Sequence, residues 1–134
     1  MIVADANLLF ALLVEGEGTQ AATDVFSRDP DWVGPLLIRS ELRNILATLM
    51  RRRRIDFDEA LLAMDEAERQ LDENEIPVNS LDVLSLSARS GCTAYDCEYV
   101  ALAQTLRIPL VTRDKQVLAA FPGIAVSPER FAGI

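Results

Sequence analysis

Short uninterrupted apolar runs alternate along the chain with longer stretches whose apolar positions recur every three or four residues. The runs have the length of buried strands, and the stretches have the period of helices packed on one side. Met1 to Ala4 predicts a first strand, followed by an apolar helix over about 7–14 and a second helix over about 18–27. Arg28-Asp29-Pro30-Asp31 predicts a turn, and Trp32-Val33-Gly34 a second strand. Pro35 suits the first turn of a long helix that runs to the arginines at 51–54. Its apolar stripe is Ile38, Leu42, Ile45 and Leu49; Glu41 flanks the stripe, while Arg39, Ser40 and Arg43 point away.

Phe57-Asp58-Glu59 opens a helix reaching about residue 73, and Glu75 to Asn79 reads as a brief strand. Asn79 or Ser80 can cap the following helix, which ends before Gly91. Thr93 or Ala94 opens a helix ended by Arg107-Ile108-Pro109, and Leu110 to Thr112 forms another strand. A short helix over 114–121 stops at Pro122-Gly123, and Ile124-Ala125-Val126 closes the sheet. Short strands separated by helices predict an α/β fold with a largely parallel sheet covered on both faces. With 134 residues, half of them apolar, the chain has the size of one domain with its own core.

Composition removes whole reaction classes. The chain has no histidine, so no Ser-His-Asp triad, Cys-His pair or paired-histidine metalloprotease helix can be built. Cys92 and Cys97 cannot close a zinc site by themselves, and reduced thiols packed near a helix start are expected. The N-terminus lacks the basic start of a signal peptide, and Leu8 to Val14 is too short to span a bilayer; a soluble, cytoplasmic protein without membrane contact is expected.

Four acids stand at the edges of apolar elements. Asp5 closes the first strand, Asp114 follows Pro109 to Thr112 by one residue, Asp96 shares a helical face with Tyr99, Val100 and Ala103, and Glu41 borders the stripe of its helix. In open parallel sheets, strand ends are where ligands bind. Acids gathered there would repel one another and hold protons, and divalent cations would relieve that. Hard oxygen ligands select Mg²⁺ or Mn²⁺. One or two such ions can activate a water for in-line attack on a phosphodiester without any histidine. Asn7 and Thr112 stand two residues from Asp5 and Asp114 and can orient them as supporting groups. Each acid also has an ordinary structural alternative: strand-end turns for Asp5 and Asp114, a salt bridge from Glu41 to Arg113 or Lys115, and a helix cap for Asp96.

Charge is uneven. Thirteen basic against twenty-one acidic residues give −8, which excludes binding nucleic acid by a general positive coat. Residues 56–75 hold nine of the acids and Arg69 as their only base, so the remainder is balanced; this acidic helix is read as a solvent or partner surface. Arg51, Arg52, Arg53 and Arg54 are either an RNA phosphate contact or a solvated helix end. The first helix is apolar around most of its circumference, which burial or a partner contact would explain, and Tyr95, Tyr99 and Trp32 are read as core or interface.

Val3-Ala4-Asp5-Ala6-Asn7, Ser40-Glu41-Leu42-Arg43-Asn44, the run from Ala94 to Ala103 that opens Ala94-Tyr95-Asp96-Cys97, and Val111-Thr112-Arg113-Asp114 together resemble the motifs of PIN-domain ribonucleases, most closely VapC-type toxins. The resemblance covers nearly the whole chain, 1–134. It implies a three-layer α/β/α PIN-like fold with a short, mostly parallel sheet. It also implies a Mg²⁺- or Mn²⁺-dependent endoribonuclease, inhibited by a VapB-like antitoxin and assembled as a dimer. Asp5, Glu41, Asp96 and Asp114 match the family's acidic positions and would be its catalytic and metal-binding residues. Glu98 lies about 200° around the helix from Asp96 and is not expected among the ligands. Rival readings are a catalytically silent binding module of the same fold, a stand-alone RNA-processing nuclease, and a phosphatase-like enzyme with Asp5 as nucleophile. The last would want a second Asp where Asn7 stands.

Overall fold

The computed structural model describes residues 1–133. Its strands are β1 (Ile2–Ala4), β2 (Trp32–Pro35), β3 (Glu75–Ile76), β4 (Leu110–Val111) and β5 (Ala125–Val126). They form one five-stranded parallel sheet in the order β3-β2-β1-β4-β5. β1, β2 and β4 are buried along their whole length, as continuous apolar strands covered on both faces must be. The helices are α1 (Ala6–Leu13), α2 (Thr19–Arg28), α3 (Ile38–Arg51), α4 (Phe57–Gln70), α5 (Ser80–Ser90), α6 (Ala94–Leu106), α7 (Lys115–Ala120) and α8 (Pro128–Ala132). They flank the sheet to give the expected three-layer α/β/α arrangement: α6 packs on β1, β2 and β4 and against α5, while α1 packs with α2, α3 and α4. Among the described residues no helix is long and apolar enough to cross a membrane.

Local chemistry sets the helix starts. Asp5, Asp56, Asn79, Thr93, Asp114 and Ser127 each accept a backbone N–H of the first turn of the helix that follows, and Asp56 with Glu59 forms a reciprocal capping box. Between α1 and α2 the Thr19 hydroxyl donates to the Ala11 carbonyl at 2.7 Å, satisfying the end of one helix from the start of the next. The apolar girth of α1 is absorbed by packing: Ala6, Leu8, Leu9 and Ala11 are buried, and Phe10, Leu12, Leu13 and Val14 are half-buried against the core.

Several expectations change. Pro35 is the last residue of β2, paired with Ile76, and α3 begins only at Ile38. A terminal strand position needs no N–H from proline. On α3 the buried positions are Ile38, Leu42 and Leu46, with Ile45 and Leu49 at the margin. Arg39 is not turned to solvent: it pairs with Glu68 at 2.6 Å and Glu75 at 2.5 Å, tying α3 to α4 and β3. The brief strand after α4 is confined to Glu75–Ile76, and α4 ends at Gln70 rather than near 73. Residues 128–132, which carry no predicted element, form α8, packed on α2 with the Arg28 guanidinium 5.6 Å from the centre of the Phe131 ring. Trp32 is core, as expected, and meets Phe26 edge to face at 5.6 Å.

Gly34 lets the start of α3 approach β2 closely. A Cβ there would lie 2.7 Å from Ile38 Cδ1 and 3.3 Å from Ile38 Cβ. Because Ile38 is fully buried and has nowhere to move, Gly34→Ala is expected to cost about 1–3 kcal/mol, read as a lowered midpoint in urea unfolding; an unchanged midpoint would show that α3 can retreat.

Candidate active site

The strand order reverses beside β1: β2 lies on one side and β4 on the other, each reached by a crossover. A doubly wound sheet opens a crevice at the carboxyl ends of the strands where this happens. Asp5 leaves β1 there, and Thr112 and Asp114 leave β4, with the Asp5 N–H donating to the Val111 carbonyl at 3.4 Å. The crevice is a cavity of about 440 Å³ whose walls include Asp5, Asn7, Glu41, Asp96, Thr112 and Asp114. All four acids and both supporting residues thus line one space, although they come from four separate stretches of chain.

Capping and convergence are compatible in these acids. Asp5 Oδ1 accepts the Leu8 N–H at 2.8 Å, while its Oδ2 accepts the Thr112 hydroxyl. The Thr112 oxygen in turn accepts the Asp114 N–H at 3.1 Å, so one buried threonine fixes the acids of both strand ends. Asp114 Oδ1 caps α7 by accepting the Val117 N–H at 2.9 Å. Asp96 is not the cap of α6; Thr93 is, accepting the Asp96 N–H at 3.1 Å and leaving the Asp96 carboxylate to the cavity. Glu41 lies in the first turn of α3 and makes no ion pair with Arg113 or Lys115; Arg113 pairs with Glu129 instead.

The electrostatics are those of crowded like charges in a partly dry space. Burial, followed by the nearby Glu41 and Asp114 charges, pushes the Asp5 carboxyl up to about 6 against the pull of Thr112 and Leu8. Burial also raises Glu41, to which Asp96 adds, and Asp96, to which Asp114 adds. Asp5, Glu41 and Asp96 therefore each feel at least one neighbouring acid. As the side chains stand, no three acids among the described residues converge closely enough to hold one cation. The donor set still suits a hard divalent ion: it is all oxygen, and its mutual repulsion is what a cation would relieve. Glu41 and Asp96 make no ion pair among the described residues, so both are free to turn inward.

Other predicted residues lie elsewhere. Arg51 to Arg54 are exposed at the far end of α3, about 15 Å along the helix from Glu41, and none lines the cavity. Glu98 lines a separate hollow beside Leu36 and Val83, as its helical angle from Asp96 required, though the Glu41 charge still reaches it. Tyr95 is not core: it is 62% exposed on the rim of the acidic cavity. Tyr99 is core in its ring, but its hydroxyl faces Glu41 across the cavity wall, buried and without a well-formed hydrogen bond among the described residues. Its place one turn after Asp96 was the available signal.

Thr112→Val removes a hydroxyl without changing volume. The Asp5 carboxyl, pushed up to about 6 by burial, is expected to titrate higher still, since the Thr112 bond now lowers it; carbon-detected NMR of the carboxyl in both proteins would read the difference, and identical titrations would exclude the bond.

Comparison with known proteins follows the same outline. The family model described as PIN domain matches residues 2–123. The chain is 31% identical over 133 residues to Ribonuclease VapC3 of Pyrobaculum aerophilum, covering 92% of this chain and 96% of that protein. Among solved structures it is similar to PAE2754 from the same organism, with a TM-score of 0.77 at 24% identity over 98% of this chain and 93% of that one. It is also similar to a toxin-antitoxin complex from Klebsiella pneumoniae, with a TM-score of 0.68 at 20% identity over 96% and 98% of the two chains.

Proposed function

The chain belongs to the PIN-domain family, and from that membership we propose that it is an endoribonuclease toxin of the VapC type, hydrolysing RNA phosphodiesters with Mg²⁺ or Mn²⁺. The observation that carries this reading is the meeting of Asp5, Glu41, Asp96 and Asp114 around one cavity at the reversal of strand order. Asp5, Asp96 and Asp114, with Glu41, would hold the cation. When bound, it supplies the positive charge that activates water for in-line attack and stabilises the departing oxygen.

The chain's own groups do the rest. Thr112 and the Leu8 N–H hold the Asp5 carboxylate in one orientation. Thr112 and the start of α7 do the same for Asp114, so the two strand ends present fixed oxygens to the cavity. Glu41, raised by burial, is suited to taking the proton of the attacking water on a carboxylate oxygen as the bond to phosphorus forms. Asn7, exposed at the mouth, can donate to a phosphate oxygen.

A VapB-like antitoxin is proposed as the natural inhibitor, because one structural neighbour is a toxin-antitoxin complex. Phe57, Leu61 and Leu62 on α4 and Leu81 and Leu84 on α5 are exposed apolar side chains that such a partner or a second copy of the chain could cover. The direct test incubates the purified protein with single-stranded RNA in Mg²⁺. Cleavage that stops on adding EDTA is expected; intact RNA with both Mg²⁺ and Mn²⁺ would sink the ribonuclease reading.

A further inference from the structure

The acidic cavity has a neighbour. A second hollow of about 400 Å³ shares Asn7 and Asp114 with it and is bounded further by Phe10, Glu17, Gly18 and Arg113. The two spaces adjoin at these shared residues, by the carboxyl ends of β1 and β4. Among the described residues no Lys or Arg lines the acidic part, and Arg113 is the one cation lining the second part, beside the Glu17 and Asp114 carboxylates. A polyanionic strand repelled by four carboxylates needs a cation beside them, and Arg113 is adjacent in sequence to Asp114.

The surroundings keep Arg113 in place without using up its charge. Its guanidinium lies along Gly18, where a Cβ would sit 3.8 Å from Arg113 Nε; Gly18 is also in the left-handed region, at φ 91°. Its ion partner is Glu129 of α8 at 2.5 Å, with both side chains nearly half exposed. Exposed pairs of this kind contribute little, so exchanging the carboxylate for a phosphate costs little. Phe10, a half-buried aromatic on α1, lines the same hollow. Aromatic rings beside a guanidinium are the elements that single-stranded nucleic acid uses, one for the base and one for the phosphate.

We infer that the Phe10–Arg113 hollow is a nucleotide subsite that seats the residue of single-stranded RNA next to the scissile phosphodiester, with its phosphate on Arg113 and its base against Phe10. This rests on the ribonuclease reading above. The occupant is single-stranded because a base entering a concave hollow must leave its stack, which a duplex resists.

The test measures cleavage of a short single-stranded RNA carrying a fluorophore and quencher, in Mg²⁺ and at several salt concentrations, by the full chain and its variants. Arg113→Gln is expected to raise KM about tenfold, with a smaller change in kcat. It should also make the salt dependence of KM shallower by about 0.7 in logarithmic slope, the loss of one phosphate contact on a single strand. Phe10→Leu should raise KM by a similar factor with an unchanged salt slope. Glu129→Gln, which keeps the guanidinium and removes its competitor, should lower KM; it remains informative if Arg113→Gln folds poorly. Arg69→Gln, an equal loss of charge on the acidic helix α4, should move neither quantity. If the parent cleaves RNA while Arg113→Gln and Glu129→Gln both retain its KM and salt slope, the subsite is wrong and the ribonuclease reading stands. If the parent does not cleave, both fall together.

Discussion

Asp5→Asn should abolish RNA cleavage while leaving a protein at least as stable as the parent near neutral pH. Loss of groups that merely support a metal ligand already costs about 10–100-fold, so removing the charge of a ligand at the head of β1 should cost at least about 100-fold in rate. The fold should not suffer, for three reasons. Asparagine caps helices as well as aspartate does, so the Leu8 N–H keeps its acceptor. The Thr112 hydroxyl can turn to accept from the new amide. Finally, the Asp5 carboxyl is raised to about 6 from 3.8, which means that the fold prefers it uncharged. A carboxyl raised in this way contributes stability below pH 3.8 that is lost as pH climbs through about 6. Without added cation, the parent should therefore lose stability between pH 4 and 6 through this group, and the variant should not. The upper bound on the difference at pH 7 is on the order of 3 kcal/mol. A variant that still cleaved at the parent's rate, or that unfolded, would remove Asp5 from the centre of the mechanism.

The second large effect is on thermal stability. Asp5, Glu41 and Asp96, whose carboxyls are raised by burial and by neighbouring acids, line with Asp114 a cavity whose repulsion a divalent cation removes on binding the folded state alone. At a hundredfold excess over its dissociation constant, such a ligand stabilises by about 2.7 kcal/mol, or about 10 °C for a chain of this length. Mn²⁺ and Mg²⁺ should raise the melting temperature, EDTA should reverse the rise, and Ca²⁺ at equal concentration should do less because its longer bonds suit a wider cage. Asp5→Asn should lose most of the shift. Melting curves that are indifferent to Mn²⁺ would contradict the metal-binding role of the cavity.

The strands and the acids were readable in the sequence for the same reason. A strand buried on both faces leaves an apolar run that ends abruptly, and Asp5 and Asp114 mark such ends, where a charged side chain becomes tolerable. Asp96 and Glu41 were legible because helical period fixes which residues share a face. What escaped depends on contacts between distant parts of the chain. Pro35 looks like a helix start until β3 is seen to pair beside it. Arg39 looks solvated until Glu68 and Glu75 arrive from α4 and β3. Five residues of α8 bury little beyond Pro128 and are too few to display a period, although Ser127-Pro128-Glu129 carries the cap, proline and acid of a helix start. Arg113, an alternative partner for Glu41 in the sequence, pairs instead with Glu129, which lies in that short helix.

Trp32 gives the molecule a built-in gauge. It is the only tryptophan in the chain, 1% exposed, paired with Ile2 where β2 begins, and held by a hydrogen bond from its indole N–H to the Asp29 carbonyl at 2.7 Å. The acidic cavity opens at the other end of these strands. Emission from this indole should be blue-shifted and silent to events at the carboxylates, and should turn red only when the sheet itself comes apart. Intrinsic fluorescence therefore counts unfolded molecules without labels and without interference from ions or RNA at the site.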